Sequence, residues 1–346
     1  MIRKKSLFFT LIILLCMILF SCSTVDYYTR LNSGNITASQ NPSEIKLLTY
    51  NIKAIYEKEE NQIDSLVSFV NCGNFDFVVF QELFDESTRD DIINKADPSN
   101  FNTFISRVDY NSFPEFIFQD AGLFMMSRYS RVDLSGIEFG CNIKNSNGVI
   151  HRILDKEISR TNDFLANKSV LGALFEINDS SKIFLFTAHV QAAGTLEHKL
   201  FQLEQIGDFI AAAIEAVITK GIIKSPENLS VILAGDFNSD AYSTDRFRSF
   251  LEALKHPRDL HKEFHGNYEE YTFRNRGRRY DYILAYDEIG NHKMNKLKTK
   301  SISVQNVQDE KGESISDHKG IRATILINNK DNRERITGDT MKSYSK

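Results

Sequence analysis

The chain is built around short, nearly uninterrupted apolar runs rich in β-branched and aromatic residues: "IKLLTY" (45–50), "FDFVVF" (75–80), "GLFMMS" (122–127), "VLGALFEI" (170–177), "IFLFTAH" (183–189), "SVILAG" (230–235), "YDYILAY" (280–286) and "IRATILI" (321–327). A strand with one face in water alternates apolar and polar residues, so runs without that alternation need cover on both faces. Between them lie amphipathic patterns. "HKLFQLEQIGDFIAAAIEAVI" (198–218) keeps Leu200, Leu203, Ile206, Phe209, Ile210 and Ala213 on one face, and "STDRFRSFLEAL" (243–254) offers Ser243 or Thr244 as a cap. This irregular mixture predicts two packed sheets flanked by helices, not a doubly wound sheet.

Several runs end in polar residues of one chemical kind. "LLTYN" ends in Asn51, "VVFQE" in Glu82, "LFTAH" in His189 and "ILAGDFN" in Asp236 and Asn238; "SDH" places Asp317 and His318 before the last run, and Asp281 opens "YDYILAY". Each alone reads equally well as a turn or a satisfied buried polar group. Together, Asn, Glu and Asp oxygens suit a hard cation such as Mg²⁺, and two histidines handle protons near neutral pH. That inventory points to metal-assisted phosphoester hydrolysis. No G-x-S-x-G elbow supports an acyl hydrolase and no G-x-x-x-x-G-K-[ST] loop supports an NTPase. A net charge of −4 argues against a basic surface for holding duplex nucleic acid, without excluding a nuclease.

The N-terminus has a basic start at Arg3, Lys4 and Lys5, then an apolar stretch from Leu7 to Phe20 that is short for a membrane span. Leu19-Phe20-Ser21-Cys22 resembles the lipobox of bacterial lipoproteins, which implies lipidation at Cys22 and an extracytoplasmic protein anchored to its own membrane in the bacterial cell envelope. The expected organisation is a signal peptide at 1–21, lipidated Cys22 with a polar tether to 44, one domain at 45–327 and a polar tail at 328–346. Cys72 and Cys141 remain for one optional disulfide, and no Cys/His zinc spacing occurs.

Five motifs, "YNI", "FQELFD", "TAHVQA", "GDFN" and "SDH", occur in this order over nearly the whole domain. Together they resemble the endonuclease/exonuclease/phosphatase superfamily of deoxyribonuclease I-like metal-dependent phosphoesterases. Within it the chain is most similar to bacterial neutral sphingomyelinase C: "QELFD", "AHVQA" and "DFLANKSVLGALFEI" look like that family's Glu-Val-Phe-Asp, His-x-Gln-Ala and Asp-(four residues)-Lys segments. The resemblance implies an α/β (α+β) four-layer sandwich, two face-to-face mixed β-sheets flanked by helices. It further implies that Glu82, assisted by Asn51, holds Mg²⁺ (Mn²⁺ or Co²⁺ as substitutes; one or two ions), with Asp236 and Asp317 at a second metal position. His318 would be the general base, oriented by Asp281. Asp236 and Asn238 would position water and phosphate, and His189 would donate to a phosphate or leaving oxygen. Lys168, paired with Asp163, either stabilises charge there or forms a surface ion pair; Gln191 either holds substrate or packs. His151, His198, His256, His261, His265 and His292 match no motif and are expected at the surface.

The activity so implied is hydrolysis of sphingomyelin or a related phospholipid to ceramide (or its analogue) and phosphocholine, by a monomer without a stable nucleic-acid partner. The alternatives are a nuclease or phosphatase for another phosphoester, and a non-catalytic surface-binding lipoprotein. The chain departs from the bilayer-attacking members in one respect. Its "SISVQNVQDEKGESISDH" stretch has no aromatic residue and the whole chain has no Trp, so attack on packed bilayers is expected to be weak.

Overall fold

The computed structural model describes residues 25–29, 42–108, 119–140, 142–158 and 162–327. The expected signal, Cys22, Cys141 and the tail at 328–346 lie outside them. Two seven-stranded sheets dominate the described residues. The first runs, in spatial order, β1 (Val25–Thr29), β4 (Thr103–Val108), β5 (Phe124–Ser127), β3 (Phe77–Leu83), β2 (Glu44–Ala54), β16 (Gly320–Leu326) and β15 (Lys298–Gln305). The second runs β11 (Arg258–Asp259), β12 (Asp281–Tyr286), β10 (Leu229–Asp236), β9 (Lys182–His189), β8 (Ser169–Glu176), β7 (Val149–Ile153) and β6 (Lys144–Ser146). A hairpin of β13 (Glu288–Ile289) and β14 (His292–Lys293) stands apart. Both sheets are mixed: β2 pairs parallel with β3, and β9 with β10, while the other named pairs are antiparallel.

The unbroken apolar runs follow from this layering. Along β9 and β10, Ile183, Leu185, Ile232 and Ala234 face the space between the sheets. Their neighbours Phe184, Phe186, Val231 and Leu233 face outward, onto Leu203, Ile206, Phe209 and Ile210 of α3 (Leu196–Thr219) and Phe250 of α4 (Thr244–Ala253). In the first sheet Leu47 and Val79 point inward, while Leu48, Val78 and Phe80 meet Leu66, Val67 and Val70 of α1 (Glu60–Gly73) and Ile92 of α2 (Glu86–Lys95). Four layers result, with three apolar seams. Each fully buried Leu, Ile, Val or Phe contributes roughly 1.5–3 kcal/mol to holding them.

Local capping adds to this. Thr195 starts α3 by accepting a hydrogen bond from His198 N at 3.2 Å, and Asp85 starts α2 by accepting from Thr88 N at 2.7 Å. Ser243 holds the N-cap position of α4, but its side chain makes no capping bond. The polar segment expected as a free tether contains β1, which pairs antiparallel with β4 from Val25↔Val108 to Thr29↔Thr103 and so closes one edge of the first sheet.

Candidate active site

Register in the second sheet lines up three polar residues. His189 at the end of β9 is the cross-strand partner of Asp236 at the end of β10, and Asp236 is the partner of Asp281 at the start of antiparallel β12. Gly235 lets β9 and β10 approach, since a Cβ there would lie 2.1 Å from the Ala188 carbonyl oxygen. From the first sheet come Asn51 and Glu82, at a point where the β2–β3 register shifts between Asn51 and Ala54. There Lys53 and Glu82 have φ of +50° and +55°, a left-handed conformation rare for residues with side chains. Asn238, which tolerates that region better, has φ +47°.

His318 reaches the row from the link before β16. Ser316 Oγ donates to the Asn51 carbonyl at 2.8 Å and accepts from His318 N at 3.1 Å, tying "SDH" to the end of β2. His318 Nδ1 is 2.9 Å from Asp281 Oδ2, and its Nε2 is 3.6 Å from Asp236 Oδ2. Behind the pair, Thr272 Oγ1 accepts from the backbone N–H of Tyr280 and Asp281 at 3.0 and 3.3 Å. The Phe273 ring lies against the imidazole, with centroids 5.0 Å apart.

Burial sets the electrostatics. Burial, with help from Asp281, pushes Asp236 up to about 7. For His318 burial acts downward, but the carboxylates of Asp281 and Asp236 outweigh it and raise the imidazole to about 10. Burial, with Lys168 and His318 nearby, holds His189 well below its ordinary value, so it is neutral. Its Nε2 stands 3.6 Å from Glu82 Oε1 and 3.8 Å from Asp236 Oδ2.

The donor set fits a divalent cation. One ligand atom from each of Glu82, His189 and Asp236 lies within 4.8 Å of the others, Glu82 opens into the cleft, and buried Asp281 Oδ1 has no hydrogen-bond partner among the described residues. Such a crowd of carboxylates calls for positive charge. Asn51 lies between two of these carboxylates. Its Nδ2 donates to Glu82 Oε1 at 2.8 Å and Asp236 Oδ2 at 2.9 Å, while its Oδ1 accepts from Lys53 N, so it holds the two carboxylates together.

The other expected residues lie around this group. Asp317 pairs with Lys53 Nζ at 2.6 Å on the cleft wall and belongs to neither metal-capable group around Asp236. Gln191 is fully buried, and both ends of its amide are taken by the backbone of Glu157, the packing arrangement of the two expected for it. Lys168 is no surface ion pair: its side chain is 2% exposed, 2.8 Å from Asp163, whose other oxygen accepts from Ala192 N and Ala193 N and pins the turn after β9. His151 and His261, expected at the surface, are buried.

No protein-family model and no curated protein matches the sequence. Solved structures do match in shape. An endonuclease/exonuclease/phosphatase family protein from Bacteroides thetaiotaomicron aligns with TM-score 0.54 and 15% identity over 84% of this chain and 97% of that one. Sphingomyelinase C from Streptomyces griseocarneus aligns with TM-score 0.51 and 15% identity, over 81% and 99%. D. rerio TDP2 complexed with a single-strand DNA product aligns with TM-score 0.51 and 16% identity, over 82% and 99%. The chain has the endonuclease/exonuclease/phosphatase fold.

On this endonuclease/exonuclease/phosphatase scaffold Glu82, Asn238, Asp317 and His318 line a cleft of about 610 Å³ that also reveals residues the motifs did not indicate. Its wall includes Lys199, Arg246, Arg276 and Arg278, with Leu196 and Leu200 as apolar lining. Burial, with Arg246 and Arg276 close by, holds Lys199 below its usual value against the pull of Asp163 and Asp236. Neither Arg246 nor Arg276 forms an ion pair among the described residues. The basic run "RNRGRR" (274–279) ahead of Asp281 was the available signal for part of this lining.

Proposed function

We propose that the chain is a divalent-metal-dependent phosphoesterase of the endonuclease/exonuclease/phosphatase superfamily that hydrolyses a phosphodiester by attack of water. The observation that carries this reading is the convergence of Glu82, Asp236 and His189 with an imidazole held by Asp281, with Glu82 and His318 reaching the lining of one cleft. A divalent cation at Glu82 and Asp236, with Mg²⁺ as the proposed ion, would neutralise phosphate charge and polarise a phosphate oxygen. Asp236 and Asn238 position the water and the phosphate. His318 Nε2 takes the water's proton once the surrounding carboxylates are otherwise balanced, and Asp281 fixes the ring through Nδ1. Neutral His189 donates a hydrogen bond to a phosphate or leaving oxygen.

For the substrate, the sphingomyelinase-like motifs and the leucines at the cleft favour sphingomyelin or a related choline phospholipid. The link to β16 offers nothing to insert into a bilayer, because Val307 and Ile315 are buried. Detergent-dispersed lipid is therefore the better substrate form. The unpaired Arg246 and Arg276 favour a second reading, a substrate with an additional phosphate, such as a nucleic acid or an inositol phosphate. The test is product release from sphingomyelin in micelles and in liposomes, beside supercoiled DNA and inositol phosphates, with Mg²⁺ and with excess chelator. One class should be cleaved, chelator should abolish the cleavage, and Glu82→Gln should lose both metal affinity and turnover. Hydrolysis that persists in chelator, or none of any class, rejects the proposal. We also propose the arrangement of signal peptide, lipid-anchored Cys22 and one catalytic domain; Cys22→Ser should move the protein from the membrane to the soluble fraction, and an unchanged distribution refutes the anchor.

A further inference from the structure

Outside the cleft, two imidazoles and a carboxylate converge on one point. His261 and His265 stand one turn apart on α5 (Leu260–His265), and Glu270 comes back to them from the following loop. His261 Nε2 is 2.8 Å from Glu270 Oε2, and His265 Nε2 is 3.5 Å from the same oxygen. The rings are 4.5 Å apart, centroid to centroid. One ligand atom from each of the three residues therefore fits within 4.8 Å of the others. A simple hydrogen-bonded pair accounts for His261 and Glu270. His265 Nε2 makes its shorter contact, 2.9 Å, as donor to the Ile302 carbonyl, a bond that ligation through this nitrogen would replace.

We propose that His261, His265 and Glu270 form a second metal site, selective for Zn²⁺ or a similar borderline transition ion and independent of the phosphoester cleft. Two histidines four residues apart on one helical face, with a carboxylate from elsewhere in the chain, are the nitrogen-rich ligand set that such ions prefer over Mg²⁺. The site is half-enclosed: His261 is buried, while the side chains of His265 and Glu270 are 21% and 23% exposed, which leaves an approach and a position for a further ligand. The nearby guanidinium of Arg279 is paired with Asp259 and does not confront an incoming cation unbalanced. Metal here would staple α5 to the loop that leads into the cleft. Glu270 is held through its backbone to the Tyr242 hydroxyl, and two residues later Thr272 supports Asp281.

The experiment uses the full chain carrying Glu82→Gln, which disables the proposed cleft metal, stripped by chelator and titrated with Zn²⁺ or Co²⁺ alone. One equivalent should bind, Co²⁺ should give the visible bands of a nitrogen-ligated, low-coordinate ion, and Tm should rise with Zn²⁺. Adding His265→Ala or Glu270→Gln, both at partly exposed positions, should weaken binding at least about tenfold, since even groups that merely orient a ligand cost that much when removed. Circular dichroism of the metal-free variants checks folding, and His265→Asn replaces His265→Ala if the latter does not fold. Binding left undiminished in both variants, or no equivalent bound by the parent, overturns the proposal.

Discussion

In the second sheet, three neighbouring strands deliver His189, Asp236 and Asp281 by unbroken register, whereas in the first sheet Asn51 and Glu82 arrive where the pairing of β2 with β3 slips. One half of the site is a by-product of regular pairing. The other is held in unfavourable backbone geometry, with Lys53 and Glu82 at positive φ. Regular register fixes the spacing of groups that pass a proton, because adjacent strands stand a fixed distance apart. A left-handed residue instead turns a side chain out of the pleat. Here it presents the Glu82 carboxylate to the cleft at a conformational cost of about 1–2 kcal/mol.

The comparison is tested most severely at the residue that bridges the halves. His318→Ala should lower turnover of the substrate found in the panel by about 10²- to 10⁴-fold, the usual contribution of a general base. Asp281→Asn should cost much of the same and should also lower the imidazole's titration in metal-free enzyme, followed by NMR, from about 10 toward ordinary histidine values, because Asp281 is the main group raising it. An unmoved titration with full turnover removes the dyad from the mechanism. Gly235→Ala comes next. Its new methyl meets the Ala188 carbonyl, so denaturant unfolding should show a loss of roughly 1–3 kcal/mol, and retained stability would mean the strands in the regular half can part freely.

The smallest effect isolates the strained half. Both Glu82→Gly and Glu82→Ala remove the carboxylate, so their difference reports the backbone alone. The Gly variant should be the more stable by about 1 kcal/mol in urea unfolding, since only Gly adopts positive φ without penalty. Equal stabilities would show that the left-handed turn relaxes once the carboxylate is gone.

The same contrast explains what the sequence made legible. The inner strands announce themselves because both faces are covered, and the polar residue ending each run marks where the cover stops; β9 and β10 end at His189 and Asp236 as their apolar runs do. β15, "KTKSISVQ", is an edge strand with a single buried position, and β1 is a short edge strand in a polar segment; neither has an apolar run to find. The φ of Glu82 was equally hidden, because Glu has no preference for that region and only the break beside Asn51 imposes it. Nor could pattern show that the Asn51 amide would turn its nitrogen toward two carboxylates, or that His261 would be buried, since both depend on contacts between distant segments. Arg246 joins the cleft from a helix that otherwise reads as an ordinary amphipathic segment.

The docking of β1 along β4 also fixes a length. With lipid on Cys22 as proposed, only three peptide steps separate the anchor from Val25, which opens the strand. A fully extended chain covers at most about 3.6 Å per residue, so the leash is about 10 Å long; the same segment left free as far as Glu44 would allow roughly 75–80 Å. The enzyme would then hang by the edge of its first sheet, close against the headgroups and with little freedom to swing. On that anchor, any phosphoester it cleaved would have to come within a molecular diameter of its own membrane.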